Sequence, residues 1–133
     1  MSEEKKIKVV LLEPGKLART AEIGTSIEDL QNAVDGLIEP FYPFEEQVCI
    51  VCNDEGKING MLPNRSVKNK DGVMVDFIFG PAFICDCRGE SFDSLSDEQI
   101  ARYTKMFRYP EHLARVNDTL LGIPYRPQPE QER

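Results

Sequence analysis

Tryptophan is absent from the 133 residues, and histidine occurs once, at His112. Acid–base and metal chemistry are left with few routes. Nowhere does an apolar run approach the roughly 20 residues that span a bilayer. The opening stretch, Met1 to Val10, lacks the longer apolar core of a secretory signal. A cytoplasmic protein with no membrane partner is the expectation. Basic residues are outnumbered, 16 against 23, giving a net charge of −7 and a pI near 4.8. That balance argues against general binding to a nucleic-acid backbone. Also missing are a P-loop, a dinucleotide fingerprint and a nucleophile elbow, so an enzyme is the least supported class and no cofactor is expected.

What is present suits a small folded domain: 41% apolar residues in a mass of 15.1 kDa. Four cysteines, Cys49, Cys52, Cys85 and Cys87, would stay reduced in a cytosol. Their C-x-x-C and C-x-C spacing raises the possibility of zinc. However, Cys49 and Cys52 lie in a strand-like run, where positions three apart point to opposite faces. Buried thiols and no metal are the better expectation.

Along the chain, Ile7 to Leu12 reads as a buried strand ended by Glu13-Pro14-Gly15, and Leu17 to Ile23 as a second strand. Thr25 and Glu28 fit a capping box, with Ile27, Leu30 and Val34 forming a helical stripe up to Gly36. Leu37 to Tyr42 is a strand in which Pro40 suggests a sheet edge or a bulge. Gln47 to Cys52 is another. Residues 57 to 70 read as irregular. Asn69-Lys70-Asp71-Gly72 is a hairpin signal, followed by strands Val73 to Phe79 and Ala82 to Cys87. Ser96-Asp97-Glu98-Gln99 is a capping box with a Leu95/Ile100 staple. Ile100, Tyr103 and Phe107 make its buried stripe. Pro110 stops that helix and can begin another, with Leu113, Val116 and Leu120 at helical spacing. The expected fold is α+β, with a mixed or mainly antiparallel sheet, one internal helix and two C-terminal helices. A single domain is expected over residues 1–123, and a disordered Pro/Gln/Glu-rich tail over 124–133.

Charge is segregated. Glu22 to Glu55 holds nine acidic residues and no basic one, Lys57 to Lys70 four basic and no acidic, and Asp71 to Glu98 seven acidic against Arg88 alone. The bland explanation of the cationic loop is pairing with its acidic neighbours. The sharper one is an anion site. In it, Asn59 and Asn64 offer donors and acceptors, Gly60 admits close approach, and Arg65 can grip a phosphate or carboxylate. Tyr42 or Phe44 could stack on a base. The rival role for Arg65 is a tie to a carboxylate such as Asp54 or Asp76. His112 reads as a surface residue.

Several motifs carry a family resemblance: Tyr42-Pro43-Phe44, Cys52 through Lys57, Asn59-Gly60, Asn64-Arg65, Glu13-Pro14-Gly15-Lys16 and Ser94 through Gln99. Over most of residues 7 to 113 the chain resembles a family catalogued as a domain of unknown function, whose members are small acidic proteins of bacteria, plasmids and phages. The resemblance implies no activity or catalytic residues. Its mobile-element setting implies an accessory or counter-defence role. Two function classes result. One is a non-enzymatic protein that binds or sequesters a small anionic, nucleotide-like ligand. The other is an acidic inhibitor that binds a host protein. Either would work as a monomer or homodimer.

Overall fold

β-branched and apolar residues at consecutive positions, rather than in alternation, mark strands covered on both faces. Three such runs form the centre of the molecule. The computed structural model describes residues 5–128. In it β1 (Lys6–Leu12), β4 (Val48–Asn53) and β7 (Ala82–Asp86) lie side by side. They are flanked by β2 (Arg19–Gly24) and β3 (Ile38–Phe41), in the order β2-β1-β7-β4-β3, and every pairing is antiparallel. β3 is an edge strand, and it carries Pro40.

Alternation then sorts the core into two halves. Ile7, Val9, Cys49, Val51, Phe83 and Cys85 face helix α1 (Ile27–Val34), which contributes Leu30 and Val34. Val10, Leu12, Val48, Ile50 and Ile84 face the opposite way. There they meet Leu95, Tyr103 and Phe107, on or beside helix α2 (Asp97–Met106), together with Val67 and Ile78. The last two come from a second antiparallel pair, β5 (Pro63–Lys68) and β6 (Met74–Phe79). The described part is therefore three layers: α1, the sheet, and α2 with the β5–β6 hairpin.

Local signals explain most of the boundaries. Ser96 caps α2, accepting from Gln99 N while the Gln99 side chain accepts from Ser96 N, a complete capping box. The turn after β5 is built on Asn69, whose side-chain oxygen accepts from Asp71 N and Val73 N, with Gly72 at φ +81°. α1 is capped one residue later than its sequence suggests. Ser26 accepts from Asp29 N, and the Thr25 hydroxyl instead donates to Lys5 O.

Two expectations are overturned. Residues 63–68 are a strand and not irregular. The second C-terminal helix does not exist. Residues 111–124 form a hairpin, β8 (Glu111–Val116) and β9 (Thr119–Pro124), and the described residues hold nine strands and two short helices. It is β-rich and antiparallel: the internal helix is present as α1, but the C-terminal pair of helices is replaced by α2 and the β8–β9 hairpin. The reason lies in the turn. Asn117 and Asp118 both take positive φ, +50° and +67°, as a two-residue hairpin turn demands. The spacing of Leu113, Val116 and Leu120 suits a helix, but Asn117-Asp118 interrupts it. Of the supposed tail, Pro124 closes β9, and Tyr125 donates its N–H to Pro110 O and stacks on His112. Residues 129–133 lie outside the described residues. No helix among the described residues is long and apolar enough to cross a membrane.

Candidate functional site

The six residues read from the sequence as an anion site are not brought together. Asn59 and Gly60 lie in a tight turn, where Asn59 N donates to Glu55 O and Gly60 takes φ +70° with nothing packed against it. Tyr42 is 63% exposed. Asn64 and Arg65 are fully buried. Between Pro63 and Arg65 the β5–β6 register slips by one, so Asn64 is the extra residue of a bulge. A bulge re-aims side chains, and both neighbours are carried inside.

Arg65 is met there by five acceptors. Nε donates to Phe107 O at 2.6 Å. One terminal nitrogen donates to Glu13 O and to Asn64 Oδ1, the other to Lys16 O and Arg108 O. A guanidinium has five N–H donors, and all are used. Its tie is to backbone carbonyls, not to Asp54 or Asp76; Asp76 pairs instead with Lys57. Two of those carbonyls close α2 at its C-terminal end, where a cation is favourable. Burial pulls the Arg65 pKa down to about 10, so the group stays charged at neutral pH. Asn64 donates to Leu12 O and Gly80 O, completing a polar knot that joins β5 to the turn after β1 and to α2.

Phe44 alone of the six lines a groove of about 860 Å³ between α2 and the β5–β6 hairpin. One wall is aromatic: the Phe44 ring centroid lies 4.7 Å from that of Tyr103 and 6.2 Å from that of Phe107. Met106 extends it. The other wall carries Ser66, Lys68, Asn69 and Lys70. At one end sits Glu46, which accepts from the Gln99 amide, Arg102 and the Tyr103 hydroxyl. These donors, Tyr103 foremost, hold its carboxyl below the usual range, against the opposing effect of burial. Burial, and then the same contact, push the Tyr103 phenol up. Glu111 accepts from Ser66 N at 2.9 Å. The Ser66 hydroxyl is buried on the side of Gly122 and has no hydrogen-bond partner among the described residues. Lys70 reaches across to Glu45 at 3.0 Å, and both side chains are at least 80% exposed.

A match to a known family runs through this region. The chain belongs to the DUF3846 family. The match covers residues 7–108 and is described as a domain of unknown function. No curated protein and no solved structure matches the chain. Every residue lining the groove except Glu111 falls within the DUF3846 match, whereas the β8–β9 hairpin lies beyond it.

The cysteines of this DUF3846 domain lie in two places. Cys49 and Cys85 are opposite one another on β4 and β7, Sγ to Sγ 3.8 Å, and Cys87 packs against the same cluster. Cys52 points to the other face, as strand alternation requires. Burial pushes the Cys52 and Cys87 thiols up to about 11. Among the described residues no group of three His, Cys, Asp or Glu side chains is placed to hold a metal ion.

Sequence reasoning missed the groove because its parts are far apart. Lys68 and Lys70 stand in the cationic segment, and Tyr103 and Phe107 in the α2 stripe. Glu46 belongs to a Glu-Glu pair with no visible partner in the sequence. The usable signal was Gln99: as a capping-box residue it fixed where α2 begins, and hence which helix face meets residues 44–46.

Proposed function

We propose that this DUF3846 protein is a non-enzymatic binding protein that holds a small anionic, nucleotide-like ligand in the groove between α2 and the β5–β6 hairpin. One observation carries the reading: the same groove is lined by the aromatic cluster of Phe44, Tyr103 and Phe107 and by Lys68 and Lys70. Apolar walls with a few polar groups are what small-ligand sites are made of. This moves the ligand from the 57–65 loop to the groove. Arg65 has no N–H left to offer, and Asn59 and Gly60 stand apart from it. An accessory or counter-defence role for a phage or mobile element is the biological setting proposed for such sequestration.

Native mass spectrometry of protein purified from its host tests the proposal. A co-purifying small molecule that is lost from Phe44→Ser is the expected result. Protein that carries nothing, and whose melting no anionic aromatic compound shifts, would remove the groove from consideration.

A second reading, an acidic inhibitor that binds a host protein, has its own support. On the face of the β8–β9 hairpin turned from β5, Val116, Leu121 and Ile123 are 46%, 42% and 44% exposed. Leu121→Asp should abolish such binding and leave ligand binding in the groove unchanged.

A further inference from the structure

Resting on the groove reading above, we infer that the ligand is a planar apolar body bearing a single anionic group, a carboxylate or a monophosphate, and that polyphosphates are disfavoured. The charge of the groove decides this. Glu45, Glu46 and Glu111 line it, against Lys68, Lys70 and Arg102. Arg102 is paired with Glu46, which offsets its charge within the groove. Glu111 is anchored on Ser66 N, which fixes its carboxyl group beside the groove. Lys68 makes no ion pair among the described residues. Lys70 has a partner in Glu45, but a pair this exposed is weak and readily exchanged.

An arriving anion therefore takes the place of Glu45 on Lys70, with Lys68 two residues away on the same hairpin. Glu45 returns to water at little cost, because it is already exposed. Two ammonium groups match one carboxylate or one phosphate. A triphosphate would bring further negative charge past Glu45, Glu46 and Glu111, in a protein of net charge −7, and among the described lining residues the one further cation, Arg102, is already offset by Glu46. The body of the ligand lies on Phe44 and the exposed Met106, an aromatic ring and a polarizable thioether, backed by the buried Tyr103 and Phe107 rings.

Isothermal titration calorimetry on the full chain decides it, using naphthoate, AMP, ATP and inorganic phosphate at low salt. We expect naphthoate or AMP to bind, ATP to bind at least about tenfold more weakly than AMP, and inorganic phosphate to give no heat. The double variant Lys68→Ala, Lys70→Ala alters exposed side chains only and should weaken the bound probe by at least about tenfold. ATP binding as tightly as AMP, and weakened by the double variant, overturns the single-anion inference but leaves the groove as a ligand site. Binding that the double variant does not weaken places the anion elsewhere and overturns the inference. No heat from any of the four probes overturns both this inference and the reading it rests on.

Discussion

Replacing Arg65 tests what holds the third layer of the fold to the sheet. Its guanidinium is fully buried and donates to the carbonyls of Glu13, Lys16, Phe107 and Arg108 and to Asn64 Oδ1. Arg65→Ala leaves these five acceptors without their donor. Hydrogen bonds to a charged group contribute about 1.5–3 kcal/mol each, but they do not add, and the cost of burying the charge opposes them. Water entering the vacated space would also satisfy some carbonyls. The balance is a loss on the order of 3–5 kcal/mol, from a total stability of roughly 5–15 kcal/mol for a domain. In thermal melting followed by circular dichroism this should appear as a fall of at least about 10 °C. Arg65→Lys keeps the charge but offers three donors to five acceptors, so it should recover only part. Arg65→Met separates the two opposing contributions: it fills the space and removes the buried charge, yet leaves the acceptors unpaired. If the hydrogen bonds matter more than the charge burial, Met is destabilising as well. Melting of both Arg65→Ala and Arg65→Met within about 2 °C of the wild type would refute the assignment of Arg65 as the tie between β5, the turn after β1 and α2.

Three further outcomes are expected. Because the Glu46 carboxyl is depressed by Tyr103, Gln99 and Arg102, its contribution to stability is present above the ordinary Glu value of 4.5 and is lost as the pH falls through the lower folded value. Glu46→Gln should flatten the acid limb of a melting-temperature profile below that pH, and an unchanged profile would contradict the contact. Gly122→Ala should destabilise by about 1–3 kcal/mol in urea titration, because a Cβ there would meet the Glu111 carboxylate and lie 2.9 Å from Ser66 Oγ; neutral behaviour would mean that the hairpin is not seated on β5. At pH 8 Cys52 and Cys87, whose thiols are pushed up to about 11, should alkylate far more slowly in the native protein than after unfolding, as read by mass spectrometry.

Local chemistry made much of this fold legible in the sequence. The apolar runs at Ile7, Gln47 and Ala82 announced strands, Pro40 announced an edge or a bulge, and Asn69 to Gly72 and Ser96 to Gln99 announced a hairpin and a helix start. Each of these depends on neighbours within a few residues. The same locality misled at residues 111–124. Leu113, Val116 and Leu120 satisfy a helical spacing on their own, and two adjacent residues with positive φ were enough to make a ribbon instead. The Asn64-Arg65 pair shows the other limit. That these residues were unusual could be read from the chain; that they were interior could not. A bulge in a strand of polar appearance turned both inward, and the acceptors awaiting them are main-chain carbonyls at positions 12, 13, 16, 80, 107 and 108, which carry no signature in any sequence. The groove is likewise a tertiary product. Glu46, Ser66, Lys70, Tyr103 and Glu111 have no periodic relation, and they meet only because α2 and the β5–β6 hairpin cover the same face of one sheet. Side-chain alternation and capping are short-range and leave a trace in order. A site assembled between layers depends on how those layers are laid against each other, and that is set by burial of the whole apolar surface at once.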